Sequence, residues 1–321
     1  MLQEEKIQFR KVRNMGETIA AATAFVRQNG SILFKSILYI AMPFILLAVG
    51  AYITMFYWVF ADSSTFDSAF DELGTYTGLS SLFSLLAMLG SVMLIAVVHE
   101  FMFLYIRRSD FNQISVAEVR KKAFDNFGLY LGTTFLLIIA FTIVFFVVIM
   151  VMAIFMGSFV FMADQSDFSE GMVVFFILAF IALSVLATYP FIALSFTYVV
   201  RAVEGKGFAG ALGRCFELTS NNWFATFWLY VVTVFITASV IGLIPVLFTG
   251  AVGLVVYLFS WEQVGIILFS FAYILYLIMG MVVNIMALIV VTFRYFSLVE
   301  LKEGIGLKRK ILLIGADTTV Q

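Results

Sequence analysis

Residues 201–222, RAVEGKGFAGALGRCFELTSNN, run without interruption into residues 223–232, WFATFWLYVV. A short segment bearing Arg201, Glu204, Lys206, Arg214 and Glu217 thus gives way, at an Asn pair, to a stretch with no charge at all. Within the first segment Phe208, Ala211, Leu212, Cys215 and Phe216 recur at helical spacing while Lys206, Arg214 and Glu217 fall elsewhere. This periodicity predicts an amphipathic helix. The junction occurs twice more upstream. Phe25 leads through Gln28, Asn29 and Gly30 into an apolar run, and Phe124 leads through Asp125, Asn126 and Gly128 into another. Ahead of the second, Val116, Val119, Ala123 and Phe127 form a stripe opposite Glu118, Lys121, Lys122 and Asp125; ahead of the first, Ile19, Ala22 and Val26 form a thinner one. The pattern predicts three copies of one unit, a surface helix followed by a membrane hairpin. Their bounds are about 16–107, 114–201 and 207–300, with a cytoplasmic tail 301–321, all in a single membrane domain 1–321.

Composition sets the class. The chain is 63% apolar and 12% charged, with a mean hydropathy of +1.08. Water-soluble globules carry about 45–50% apolar and about 25% charged residues. An all-α polytopic membrane protein is expected; a barrel would show short alternating segments with many turns. The six charged residues Glu4, Glu5, Lys6, Arg10, Lys11 and Arg13 precede any apolar run. The expectation is therefore no cleavable signal peptide, with the first helix acting as the insertion signal.

Uncharged stretches of about 20 residues suffice to cross ~30 Å of hydrocarbon. They occur at 36–58, 129–151, 173–197, 224–248 and 265–291, and a further apolar stretch at 79–103 carries one charge, Glu100. Six transmembrane helices in three hairpins follow. Because each unit has an even number of crossings, the repeats are parallel. The fifth run is longer than one crossing needs, and Pro245, Gly250 and Gly253 in its second half predict a kink, a tilt or an end there. Charge then assigns the sides. The connections holding Asp62, Asp67, Asp71 and Glu72, then Asp164, Asp167 and Glu170, then Glu262 contain no Lys or Arg, and all 19 basic residues lie in the other segments. The positive-inside rule places both termini in the cytoplasm.

At residues 199–227 the chain resembles bacterial six-helix membrane proteins of largely unassigned function, including the membrane domain that accompanies some glycerophosphodiester phosphodiesterases. The shared pattern is Glu204 after a span, Ala211 and Arg214 in an Ala-rich helix, then Asn221, Asn222 and Trp223. The resemblance implies an integral protein of the bacterial cytoplasmic (inner) membrane and carries no catalytic activity; the phosphodiesterase barrel itself needs several His and Glu residues. Three two-helix units also invite comparison with mitochondrial metabolite carriers. There the surface helix lies between the two spans of each unit and a charged motif follows Pro, whereas here it precedes the pair and Pro43 and Pro190 are followed by apolar residues.

Few groups in the spans can do chemistry. The single His99 and the single Cys215 exclude a His- or thiolate-based metal site within one chain, and neither a metal nor a cofactor is expected. No phosphate-binding, dinucleotide, zinc-protease or hydrolase motif occurs, so no enzyme is expected. An intramembrane carboxylate is by default a functional hypothesis, and His99, Glu100 and Asn284 form the candidate intramembrane polar site. The alternative is that Glu100 is protonated, or pairs with Lys35 or Arg294, and glues spans together, and that Asn284 bonds between helices. Gly128 and Gly132 form a G-x-x-x-G that predicts close helix approach. Lys121, Lys122, Lys206 and Arg214 form the candidate interfacial surface, on helices that either set the entry angle of the next span or face anionic headgroups. Two functions stand. One is a non-catalytic protein that assembles, or organises lipid or partner proteins, at the cytoplasmic face; the other is a transporter or permease component with a path lined by Glu100, His99 and Asn284. The expected partners are the lipid bilayer and a second copy or another membrane protein, with no nucleic acid.

Overall fold

Inside hydrocarbon each backbone N–H and C=O must be satisfied within its own segment, which leaves helices as the structure open to these apolar runs. The computed structural model describes residues 5–61, 73–108, 110–163, 170–259 and 262–304, and among them all regular structure is helical, with no strand. The helices are α1 (Met15–Ser36), α2 (Met42–Ala61), α3 (Leu73–Arg107), α4 (Val116–Asp125), α5 (Phe127–Ala163), α6 (Glu170–Leu194), α7 (Thr197–Glu204), α8 (Phe208–Thr219), α9 (Trp223–Phe259) and α10 (Glu262–Glu303). Five helical runs among the described residues are long and apolar enough to cross a membrane, or six if the pair α8 and α9, bent by 93°, counts as one span. The acidic segments 62–72 and 164–169 and the tail 305–321 lie outside the described residues.

The boundaries follow local chemistry. Asn14 and Glu17 close a reciprocal capping box at the start of α1, and Ser115 and Glu118 close another at the start of α4. Each pair satisfies two backbone donors that a helix start leaves free. Helix α7 ends at Gly205, whose φ of 66° is the left-handed conformation that glycine adopts without steric penalty.

The first junction is not a break. Helix α1 runs straight through Gln28, Asn29 and Gly30, and a π-helical stretch, Ile37–Ala41, carries it into α2. The polar residues stay helical because Asn29 donates through Nδ2 to Phe25 O at 3.1 Å, one turn back. The second and third junctions do break, at Asn126 and at 220–222, where Asn221 has a φ of 41°. The three aromatic markers also part company: Phe25 is fully buried, Phe124 is 50% exposed and Phe216 is half-buried. Nor does α9 end at Pro245; it continues to Phe259. The fourth span is interrupted instead, between α6 and α7, five residues beyond Pro190, where Ser195 N–H donates to both Phe191 O and Ile192 O. A Cβ on Gly128 or Gly132 would meet nothing within 4 Å, so the G-x-x-x-G marks no close approach among the described residues.

The chain divides into two compact units. The first comprises Met1–Leu131 and Tyr230–Arg294. In it α2 packs along α3, tightly at Gly90, where a Cβ would lie 3.2 Å from Ile45 Cγ1. Its core around Phe9 is aromatic. The Phe9 ring stacks on Phe293 at 4.3 Å, and Phe25 stands edge-on to Phe9 and Tyr105 at 5.7 and 5.1 Å. The second unit comprises Gly132–Leu229 and Tyr295–Gln321. In it α8 packs on α6 and α7, and Tyr189 meets Phe216 and Trp223, each at 5.8 Å. Helices α5 and α6 keep only 6% of their most apolar window buried, against 39% for α3. Phe146, Phe161 and Phe175 accordingly point outward.

Candidate functional site

Helix α3 positions the two adjacent candidates His99 and Glu100, which are 1% and 5% exposed. His99 Nδ1 donates to Ile95 O at 3.0 Å, one turn back, and its ring lies nearly parallel to Tyr130 at 6.0 Å. Glu100 Oε1 accepts from Asn126 Nδ2 at 2.8 Å and from Tyr130 Oη at 3.1 Å. The carboxylate therefore sits in a socket of neutral donors, from the residue that ends α4 and from the first turn of α5. Neither Lys35 nor Arg294 is its partner. Asn284, on α10, joins neither residue. Its Nδ2 donates to Gly280 O at 2.9 Å, and it lines a cavity with residues of α2 and α3. The structure thus groups His99 with Glu100 and places Asn284 in a separate setting.

The four basic candidates also divide. On α4, Val119 and Ala123 are fully buried and the helix packs against α1 and α3, so its apolar stripe is covered by protein rather than by acyl chains. Glu118 is held by Arg108. Arg120, Lys121 and Lys122 are exposed beside the exposed Phe124 and Asp125.

On α8 the stripe is covered too, with Ala211, Cys215 and Leu218 fully buried. There the cations are engaged. The Arg214 side chain is only 10% exposed; its guanidinium meets Glu204 at 3.1 Å and Glu217 at 3.0 Å and also bonds Glu303. Lys206 pairs with Glu204 at 2.9 Å, and Tyr295 Oη donates to the same carboxylate at 2.8 Å. Lys302 bonds Glu217 O and, at 3.2 Å, Ser220 Oγ. This network ties α7, α8 and the end of α10 together; Arg214 presents no open charge. Beneath it, burial pushes the Cys215 thiol up to about 11, and Thr197 Oγ1 lies 3.7 Å from Sγ.

Sequence reasoning missed a third arrangement. Lys6 Nζ donates to Ile106 O at 3.0 Å and to Arg108 O, placing a cation over the last carbonyls of α3, where the helix dipole favours it. Ile7 N–H donates to Tyr105 Oη at 2.9 Å, and Tyr105 Oη donates to Gln28 Oε1 at 2.8 Å. Arg13 donates to Phe9 O at 2.9 Å and lies 5.4 Å over the Phe293 ring. Burial pulls both Lys6 and Arg13 below their ordinary pKa ranges; for Arg13 the nearby Glu17 opposes the shift. Only the excess of cations ahead of the first span was visible in the sequence; a docked strap was not. Among the described residues no group of three or more His, Cys, Asp or Glu side chains could hold a metal ion. Comparison with protein-family models, curated proteins and solved structures gave no match.

Proposed function

We propose that this chain is a non-catalytic integral membrane protein of the bacterial cytoplasmic membrane that organises anionic lipid at its cytoplasmic face, alone or with a second copy or another membrane protein. The observation carrying the reading is α4. Its apolar side is spent on α1 and α3 and its acidic Glu118 is held by Arg108, which leaves Arg120, Lys121 and Lys122 outward beside an exposed Phe124. An aromatic among cations suits the headgroup boundary, and each basic residue near an anionic surface contributes about 1 kcal/mol. The engaged Lys206 and Arg214 leave α8 as bracing rather than as a docking face.

Burial supports the tandem plan in a register set by Asn29, Asn126 and Asn222. Seven residues before each stands a fully buried Ala22, Val119 or Cys215; four residues after stand Leu33, Tyr130 and Thr226, all buried. The reading takes three parallel units with both termini cytoplasmic, and reporter fusions at Asp67 and Asp164 should then read extracytoplasmic.

The test is retention of phosphatidylglycerol by protein purified in mild detergent from mixed-lipid membranes. Reversing Lys121 and Lys122 to Glu should lower retention at least tenfold, while Glu100→Gln leaves it unchanged. Equal retention in the charge-reversed protein would end this reading. A transporter is the second reading because Glu100 is a buried carboxylate on an apolar helix; it requires a proton-coupled solute flux in liposomes that Glu100→Gln abolishes.

A further inference from the structure

The geometry points to a second site in the first unit: a cavity of about 380 Å³ that takes a neutral membrane lipid with one apolar chain and an uncharged hydroxyl- or carbonyl-bearing head. Its walls are Ile45 and Ala48 of α2, Ala87, Gly90 and Ser91 of α3, and Asn284 of α10. Gly90 lines it where α2 comes close, a Cβ there lying 3.2 Å from Ile45 Cγ1. The volume lies within the range of about 300–1,000 Å³ in which proteins hold small ligands.

Depth selects where the occupant comes from. Asn284 lies ten residues before Arg294, about 15 Å along the helix at 1.5 Å per residue, and Ser91 lies sixteen residues before Arg107, about 24 Å by the same measure. Both positions fall inside ~30 Å of hydrocarbon, reached by molecules dissolved in the bilayer.

Charge selects the head. No residue lining the cavity is Lys, Arg, His, Asp or Glu, so a charged head would stand unpaired at a cost of several kcal/mol. What the wall does offer is hydrogen bonding. Asn284 spends one N–H on Gly280 O and keeps its other N–H and Oδ1; Ser91 spends its proton on Ala87 O at 2.8 Å and keeps its oxygen as an acceptor. A carbonyl can accept from the amide, and a hydroxyl can donate to Oδ1 or to Ser91 Oγ. In hydrocarbon such groups gain by finding a partner. The site is independent of the Glu100 socket and of the α4 face.

The test uses a monoacylglycerol carrying a chain diazirine, photolysed with the protein in phosphatidylcholine liposomes. Crosslinks should concentrate on peptides of α2, α3 and α10, and unlabelled monoolein should compete at least tenfold better than lysophosphatidylglycerol. Asn284→Leu should raise the half-saturating concentration about tenfold, the effect of one hydrogen bond within the membrane. Ala87→Phe, which fills the cavity, should abolish the enrichment, with helix content by circular dichroism reporting that the fold persists. Labelling spread evenly onto the outward faces of α5 and α6, equal competition by the charged lipid, or indifference to Asn284→Leu would each overturn the proposal; the last stands even if Ala87→Phe fails to fold.

Discussion

Asn126 donates to the Glu100 carboxylate across 2.8 Å, so the residue that ends α4 is fastened to a buried acid on α3. Tyr130 donates to the same oxygen. Glutamine retains an acceptor there, so Glu100→Gln should leave thermal stability in detergent nearly unchanged. Glu100→Leu strands two donors and should cost about 1–3 kcal/mol. A melting temperature equal to wild type in the Leu variant would show that the socket contributes nothing.

Arg214 faces three carboxylates from a position only 10% exposed. Removing the cation leaves like charges together, and Arg214→Leu should destabilise the second unit by about 3 kcal/mol. Arg214→Lys should fall between, because an ammonium cannot reproduce the planar fork. Glu217→Gln, at a carboxylate 59% exposed, should change stability by less than about 1 kcal/mol. Denaturant melts of the three variants in one detergent check the order.

Cys215 is fully buried, and its thiol pKa, raised to about 11 by burial, keeps the reactive thiolate scarce at neutral pH. N-ethylmaleimide at pH 7.5 should therefore label the native protein slowly and the dodecyl-sulfate-denatured protein fast, read by intact mass. Rapid native labelling would mean that α8 lifts off α6 and α7.

Lys6 caps α3 from a distant part of the chain. Lys6→Ala should cost only about 0.5–1 kcal/mol globally, the usual value of a cation at a helix end. It should nonetheless raise amide exchange at residues 5–13 and 104–108 well above that of the rest of the first unit. Unchanged exchange there would show that Phe9 and Arg13 hold the strap without it.

The spans were legible because hydrocarbon leaves a long uncharged run one option, and the stripes of α4 and α8 were legible because their spacing is helical. What covers those stripes was not, since neither Val119 nor Cys215 carries any mark of which helix it meets. Asn29 and Gly30 marked the passage from surface helix to span, but a bond to Phe25 O keeps Asn29 within one continuous helix. The three phenylalanines looked equivalent by neighbouring letters alone, yet Phe25 is fully buried and Phe124 is half exposed. Glu100 was found by its charge, while Tyr130, an ordinary aromatic in an apolar run, gave no signal that it would be the partner.

The stack of Phe9 on Phe293 sets an order of assembly. A ribosome delivers the first ring some 280 residues ahead of the second, so the aromatic core of the first unit must wait, incomplete, until α10 has been made. A nascent chain halted before α10 would hold Phe9 and Phe25 without their counterpart, and quality-control proteases could recognise that vacancy as the mark of an unfinished product.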